Sequence, residues 1–353
     1  MAVRFDLEKL KVIGQPVALV DNVMQAFSVN SAYNTGAGQF GISGTGALLY
    51  AAGGIVPDMK NSLVWVDQRG TEKPVTDLRF PFFAPRLSPD GKRIAYVTMG
   101  REWQVWVYDL SRGTNSRLTT EGRAVYPIWT PDGKRLLFAW HKSLLPNLWW
   151  QPYDGSSSME RLTTSEYDQK PGSWSSDGKS VALVEACPGT GNDIAILDVG
   201  SGRVTPFLNS QFSETYPEFS PDGRWMAYTS DESTRTEVYM REFPGPGMKY
   251  QISSEGGNQP LWARNGKQLF YRLQDQVWVA DVRTDGGIAI SKPRLLFEKS
   301  GYGGGIPIRS WDLSLDGQRF LMVKGEQQKP TPVIEMILVQ NWFEELKRRV
   351  PTE

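Results

Sequence analysis

The stretch Phe219-Ser220-Pro221-Asp222-Gly223-Arg224-Trp225-Met226-Ala227-Tyr228-Thr229 reads as a strand, a tight turn and a second strand. Pro221 presets φ, Asp222 bonds back to nearby backbone, and Gly223 accepts the left-handed conformation that a Cβ resists. Beyond the turn, Met226 and Tyr228 alternate with their neighbours as on a half-buried strand. The same pattern recurs at Leu87-Ser88-Pro89-Asp90-Gly91-Lys92, Trp129-Thr130-Pro131-Asp132-Gly133-Lys134, Trp174-Ser175-Ser176-Asp177-Gly178-Lys179, Trp262-Ala263-Arg264-Asn265-Gly266-Lys267 and Leu313-Ser314-Leu315-Asp316-Gly317-Gln318. A degenerate copy is Ile42-Ser43-Gly44-Thr45-Gly46-Ala47.

The turn glycines, at 46, 91, 133, 178, 223, 266 and 317, lie 45, 42, 45, 45, 43 and 51 residues apart. A period in the low forties with four short strands per unit is that of a β-propeller blade. The fold class is therefore all-β, a propeller of four-stranded antiparallel blades. Seven blades are expected from seven hairpins, or six if the hairpin at 42–50 is not a blade. The blades are placed at about 39–76, 80–120, 124–164, 168–208, 214–253, 257–298 and 308–341. Residues 1–353 are read as a single domain, with 21–38 as a loop and 342–353 as a helical tail. The last blade lacks an outer strand, and residues 2–6 or 16–20 are expected to supply it beside 334–339, closing the ring and hiding both sheet edges.

Composition narrows the functions. Lys plus Arg equals Asp plus Glu at 39 each, so no excess of basic charge points to nucleic acid. A single cysteine, Cys187, excludes an intrachain disulfide, and a single histidine, His141, excludes a multi-histidine metal centre. No apolar run reaches the roughly 20 residues that span a bilayer, and the N-terminus lacks the pattern of a signal peptide. As written the chain is expected to be a soluble monomer.

The repeats and tail together resemble the TolB-like propellers, marked by the Ser-Pro-Asp-Gly-Lys/Arg turn at 88–92 and 220–224. More narrowly, the chain is similar to the C-terminal propeller region of bacterial membrane-anchored serine/threonine protein kinases. The carrying segments are Phe5-Asp6 with Gly14-Gln15-Pro16-Val17, then Val238-Tyr239-Met240-Arg241-Glu242-Phe243-Pro244-Gly245-Pro246-Gly247, and Asn341-Trp342-Phe343. No glycine-rich nucleotide loop or His-Arg-Asp catalytic loop is present. The resemblance implies an extracytoplasmic sensor module that binds a small molecule, peptide or protein.

A propeller's natural site is the mouth of its channel, and the face opposite the Pro-Asp-Gly turns is the expected binding face. Segments entering the inner strands place Tyr126, Asp168, Glu214, Tyr216, Asn258, Gln259, Arg309 and Trp311 there, and the loops after each second strand add Arg101, Glu102, His141, Asp231, Glu232 and 324–333. Trp311, Tyr126 and Tyr216 suit ligand stacking. Five residues before each turn glycine stand Gly41, Arg86, Ile128, Ser173, Glu218, Leu261 and Asp312. Arg86 there is expected to neutralise Glu218 and Asp312 in a structural ion-pair ring. The sharper alternative is a calcium or other divalent cation held by Glu214, Glu218, Asn258, Asp312 and Asp168. With His141, Glu214 or Glu218 as base, that cation would make a metal-dependent hydrolase of esters, lactones or phosphotriesters. Trp129, Trp174, Phe219 and Trp262, four residues before their glycines, are read as inter-blade packing, and Cys187 as an idle thiol.

Overall fold

The structure, a computed structural model, describes all residues except 27–36, 54, 57–59, 99–102, 143–144, 246, 286, 306, 326–334 and 351–353. It divides into two compact units, Lys60–Glu326 and a second formed by Met1–Met59 with Gln327–Glu353.

In Lys60–Glu326 each Pro-Asp-Gly turn is built by side chains as well as backbone. Ser88 Oγ donates to Asp90 Oδ1 at 2.5 Å, the same oxygen accepts the Lys92 N–H at 3.0 Å, and Ser88 Oγ accepts the Arg93 N–H at 2.9 Å. The hydroxyl-to-carboxylate bond repeats at Thr130/Asp132, Ser175/Asp177, Ser220/Asp222 and Ser314/Asp316. These bonds hold the turn that a serine or threonine, an aspartate and a left-handed glycine specify.

Each turn joins the inner two strands of a four-stranded antiparallel blade. The first blade runs Phe82–Leu87, Arg93–Thr98, Gln104–Asp109 and Thr114–Arg117, and the second Arg123–Trp129, Arg135–His141, Asn147–Pro152 and Glu160–Arg161. The third is Asp168–Trp174, Ser180–Cys187, Gly191–Asp198 and Arg203–Leu208. The fourth is Glu214–Phe219, Trp225–Ser230, Glu237–Glu242 and Lys249–Gln251. The fifth is Asn258–Trp262, Gln268–Leu273, Gln276–Arg283 and Arg294–Glu298, with the short strand Ala289–Ile290 added against Val282 and Arg283. The sixth combines Trp311–Leu313 and Arg319–Gly325 with Asn61–Asp67 and Glu72–Pro74 from the start of the unit.

The ring thus has six blades, not the preferred seven, and a different segment closes it. Asn61–Asp67 pairs with Arg319–Gly325 over its whole length, Asn61 opposite Gly325 and Asp67 opposite Arg319. Leu63, Val64 and Val66 are thereby buried against Leu321, Phe320 and Met322 in the inter-blade cores. The strands at 61–67 and 72–74, assigned from sequence to the hairpin at 42–50, complete the sixth blade instead. Glu72 pins the closure: it accepts the Tyr302 hydroxyl at 2.6 Å, lies 3.1 Å from Lys299 Nζ and is bonded to Lys324.

The other unit holds the degenerate hairpin. Phe40–Ile42 and Leu48–Ala51 form a three-stranded sheet with Met336–Val339. Gly46, at φ 85°, turns the hairpin; a Cβ there would lie 2.9 Å from the Phe343 ring, so the helix Trp342–Arg349 packs against the turn only because the residue is glycine. Ala2–Asp6 and Lys11–Val17 pair with each other in a separate two-stranded sheet. They do not pair with Met336–Val339, whose partner is Leu48–Ala51; the turn at 7–10 pairs the N-terminal strands with each other, so the expected closing strand is a local hairpin. The loop expected at 21–38 lies largely outside the described residues.

Burial would raise the Glu72 pKa, but hydrogen bonds from Lys324, Tyr302 and Lys299 outweigh it and hold the carboxyl at about 2, below its ordinary 4.5. A depressed carboxylate stabilises the fold above the unfolded pKa, and that stabilisation is lost as pH falls from about 4.5 towards 2. Glu72→Gln should cost about 1–3 kcal/mol at neutral pH and flatten the acid limb of the stability profile. Thermal melts across pH check this, and an unchanged acid limb in the variant would show that Glu72 does not secure the closure.

Candidate functional site

The innermost strands carry a shared irregularity. Ala84, Tyr126, Tyr216 and Gln259 have φ of 46°, 57°, 54° and 54°, each just before a proline, and the ladder register shifts there. Such left-handed, non-glycine residues cost of order 1 kcal/mol or more, and persist where the surroundings over-determine them. As bulges they turn the residues after the proline, among them Arg86 and Glu218, towards the axis. In the third blade Gly172 stands where those four blades have their proline; a Cβ on it would lie 2.6 Å from Pro217, so the adjacent blade approaches only because none is present.

On the face of the Pro-Asp-Gly turns a cavity of about 380 Å³ opens on the axis, lined by residues of all six blades. Five charged side chains line it, Arg86, Glu218, Arg309 and Asp312 with Arg264 at the rim. Arg309 Nη1 bonds Glu218, its Nη2 lies 3.5 Å from Asp312 Oδ1, and its Nε donates to the Trp311 carbonyl at 3.1 Å. Asp312 also accepts the Leu87 and Leu313 N–H groups at 2.8 and 2.9 Å. Arg86 donates to the Pro85 carbonyl at 2.8 Å and the Arg309 carbonyl at 2.7 Å, and its Nε has no partner. Burial, then the charge of Arg309, lowers the Arg86 pKa to about 9 against the opposing pull of Asp312 and Glu218. Burial raises Glu218 despite Arg309. The neutralising partner of both carboxylates is therefore Arg309, not Arg86 as expected from position alone. Trp129, Trp174, Phe219 and Trp262 form part of the wall, with Trp129 Nε1 bonded to the Arg86 carbonyl at 3.0 Å.

The opposite face, the expected binding face, is filled. Residues 301–305 and 307–310 cross it: Arg272 donates to the Gly303 and Tyr302 carbonyls at 2.6 and 3.1 Å, and the Tyr216 hydroxyl to the Gly305 carbonyl at 2.5 Å. The Tyr216 N–H bonds the Pro307 carbonyl at 3.0 Å, and the Ser310 N–H bonds Gln259 Oε1 at 2.8 Å. Ile308 packs among Ala84, Val125 and Tyr126. Tyr126, Tyr216 and Gln259 are consequently buried, and Trp311, fully buried, bonds the Gln259 carbonyl through Nε1 at 3.1 Å and packs on Phe320. The rings proposed for stacking are committed to packing.

The remaining candidates lie apart. Asn258 begins its inner strand opposite Arg272, and His141 ends a second strand opposite Arg123. Asp168 pairs with Lys170 at 2.6 Å, Glu232 with Lys249 at 2.7 Å, and Asp231 accepts the Ser213 N–H at 2.9 Å. Arg101, Glu102 and 326–333 lie outside the described residues. Glu214 is buried beside Asp193, accepts the Ser210 hydroxyl at 2.5 Å through one oxygen and leaves the other unpartnered. Cys187 is pushed up to about 11 by burial and by Asp193, so its thiol stays protonated at neutral pH. Among the described residues no three His, Cys, Asp or Glu side chains gather as a metal site. With Arg309 bonded to Glu218 and Asp312 and Glu214 elsewhere, the proposed set does not fit a divalent cation.

Residues 58–195 match the family model described as the TolB beta propeller domain. The uncharacterized protein Atu1656 of Agrobacterium fabrum is 28% identical over 204 residues, 53% of this chain and 68% of that protein. The uncharacterized peptidase YuxL of Bacillus subtilis is 25% identical over 199 residues, 52% of this chain, which spans only 28% of the peptidase. Among solved structures, putative TolB from Agrobacterium tumefaciens superposes with a TM-score of 0.64 at 21% identity, covering 76% of this chain and 99% of that one. The fold is that of a TolB-like β-propeller. No helix among the described residues is long and apolar enough to cross a membrane.

Burial, with the charges of Asp193, Glu232 and Asp231, raises Glu214 to about 7 against the Ser210 bond. The folded state then holds a proton that the unfolded state has lost, so stability falls as pH rises from about 4.5 through 7. Glu214→Gln should abolish that decline and stabilise the protein by about 1–3 kcal/mol at pH values above 7. Denaturant titrations across that range check it; a variant less stable than wild type at alkaline pH would contradict it.

Proposed function

We propose that the chain is a non-catalytic, sensor-type binding propeller whose ligand or partner enters the axial cavity on the turn face. The observation that carries this reading is the convergence of all six blades on one open cavity with buried charge beneath it. The sequence resemblance to kinase-associated propellers supports it, since those modules bind rather than react. The chemistry argues the same way: Glu218 and Asp312 engage Arg309, Cys187 is protonated, and Glu214 and His141 belong to other places in the fold.

The rim residue Ser176 is exposed and lines the cavity. Ser176→Trp should leave the melting temperature close to wild type while abolishing the thermal shifts that small molecules and short peptides produce in a screen of the full chain. Ligands that bind the plugged variant unchanged would place the site elsewhere. Metal-dependent turnover of activated esters, lactones or phosphotriesters, lost in Glu218→Gln, would replace this reading with the hydrolase.

A further inference from the structure

We propose that the turn-face cavity takes its ligand through a carboxylate or another oxyanion, with Arg86 as the counter-ion. The inference rests on the channel reading above and adds the chemical class of the ligand.

Arg86 is only 3% exposed, yet among the described residues no carboxylate lies within ion-pair distance of it. Its two terminal nitrogens are spent on backbone carbonyls, and Nε–H has no acceptor. A buried cation ordinarily carries a paired anion, and a buried donor left bare costs about 1–3 kcal/mol. Arg272, comparably buried, is a useful contrast: it bonds the carbonyls of Gly303, Tyr302 and Gln274, and none of its nitrogens is both buried and unpartnered. Arg86 likewise bonds a carbonyl of the segment that crosses the opposite face, that of Arg309, but its Nε–H is both buried and unpartnered.

The cavity's other unmet needs have the same sign. Trp174 and Trp262 are among the lining side chains, and each has an Nε1–H that is buried without a partner and can only donate. The unpartnered acceptors among the described residues, on Asp168, Asp193, Glu214 and Thr229, belong to side chains that do not line it. Three arginines, Arg86, Arg264 and Arg309, face two carboxylates, Glu218 and Asp312, so the lining carries one net positive charge. Arg309 is matched by the carboxylates; Arg86 in the floor and Arg264 at the exposed rim are not. A ligand bearing an acceptor-only, negatively charged group meets these donors and this charge; a cation or a donor-rich neutral group meets neither.

The test uses the full chain with succinate, inorganic phosphate and neutral succinamide at matched ionic strength, read by tryptophan emission and calorimetry. Succinate or phosphate should bind saturably and succinamide should not, the tighter of the two anions telling carboxylate from phosphate. Arg86→Gln should weaken the anion by roughly tenfold to a hundredfold. Because removing a buried cation can unfold the channel, Arg264→Ala at the exposed rim is the second variant, expected to weaken binding severalfold with the fold intact. Succinamide binding as tightly as succinate, and lost in Ser176→Trp, would overturn the anion inference while leaving the cavity as the site. Absence of a saturable response to all three probes would overturn the inference, with the library screen then deciding the channel reading separately. Anion binding unchanged in both arginine variants would also overturn it.

Discussion

The backbone pairing of Asn61–Asp67 with Arg319–Gly325 joins residues more than 250 apart in sequence, as the register of Arg319 with Asp67 shows (319 minus 67 is 252). Without it the inner strands Trp311–Leu313 and Arg319–Gly325 would present a bare edge of unpaired N–H and C=O groups, and Leu321 and Val323 would lose the neighbours that bury them. The position of Asp312 depends on this closure, because its strand is held only by the one that the closure seals. Arg309, which precedes it, is fixed in turn by bonds to Asp312 and to the Trp311 carbonyl. The charge arrangement on the axis is thus downstream of a strand pairing at the blade's outer side.

On the axis, symmetry and chemistry part company. Each blade contributes the position five residues before its turn glycine, but the residues differ: Arg86, Ile128, Ser173, Glu218, Leu261 and Asp312. Equivalent geometry occupied by unlike side chains is how a repeat protein makes a directional site from a symmetric frame. The apolar members sit on the second and fifth blades; the ionic ones on the first, fourth and sixth, where Arg309 reaches across to Glu218. Ile128 and Leu261 therefore face each other across the axis, with Arg86 and Asp312 to one side of that line and Ser173 and Glu218 to the other, so a ligand there would meet charge on both sides.

The blade and its turn were legible because they are local: a serine or threonine, an aspartate and a glycine in six residues specify both hydrogen bonds and handedness. The number of blades was not. Seven hairpins are present in the sequence and seven turns form, but membership of the ring is decided by which strand takes which edge, a nonlocal choice between Arg319–Gly325 and Leu48–Ala51 for the strands that follow residue 60. The level of Arg86, Glu218 and Asp312 was readable from spacing to the turn glycine. Their pairing was not, since Arg309 lies eight residues before Gly317, outside that register, and reaches the carboxylates only because the segment before it folds over the opposite face. A second arginine near two axial carboxylates was the available signal. The aromatic positions misled for the same reason: Tyr126, Tyr216 and Trp311 are buried by the packing of residues 301–305 and 307–310 against them.

That covering segment also bears on what the channel can do. Ile308 is seated in an apolar cluster and Tyr216 is bonded to the backbone of residues 305 and 307 on the covered face, while the turn face carries an open cavity. A ligand entering the turn-face cavity, with its charged floor, would be held by its end group, the part that reaches Arg86. Catalysis would need a base or nucleophile near that end; of the acidic side chains there, Asp312 has both oxygens engaged by backbone N–H groups and Glu218 is bonded through Oε2 to Arg309. What the floor offers in unspent form is donors. A group that only donates recognises, orients and stabilises negative charge, so the physical character of this axis is that of a receptor for an anion's terminus.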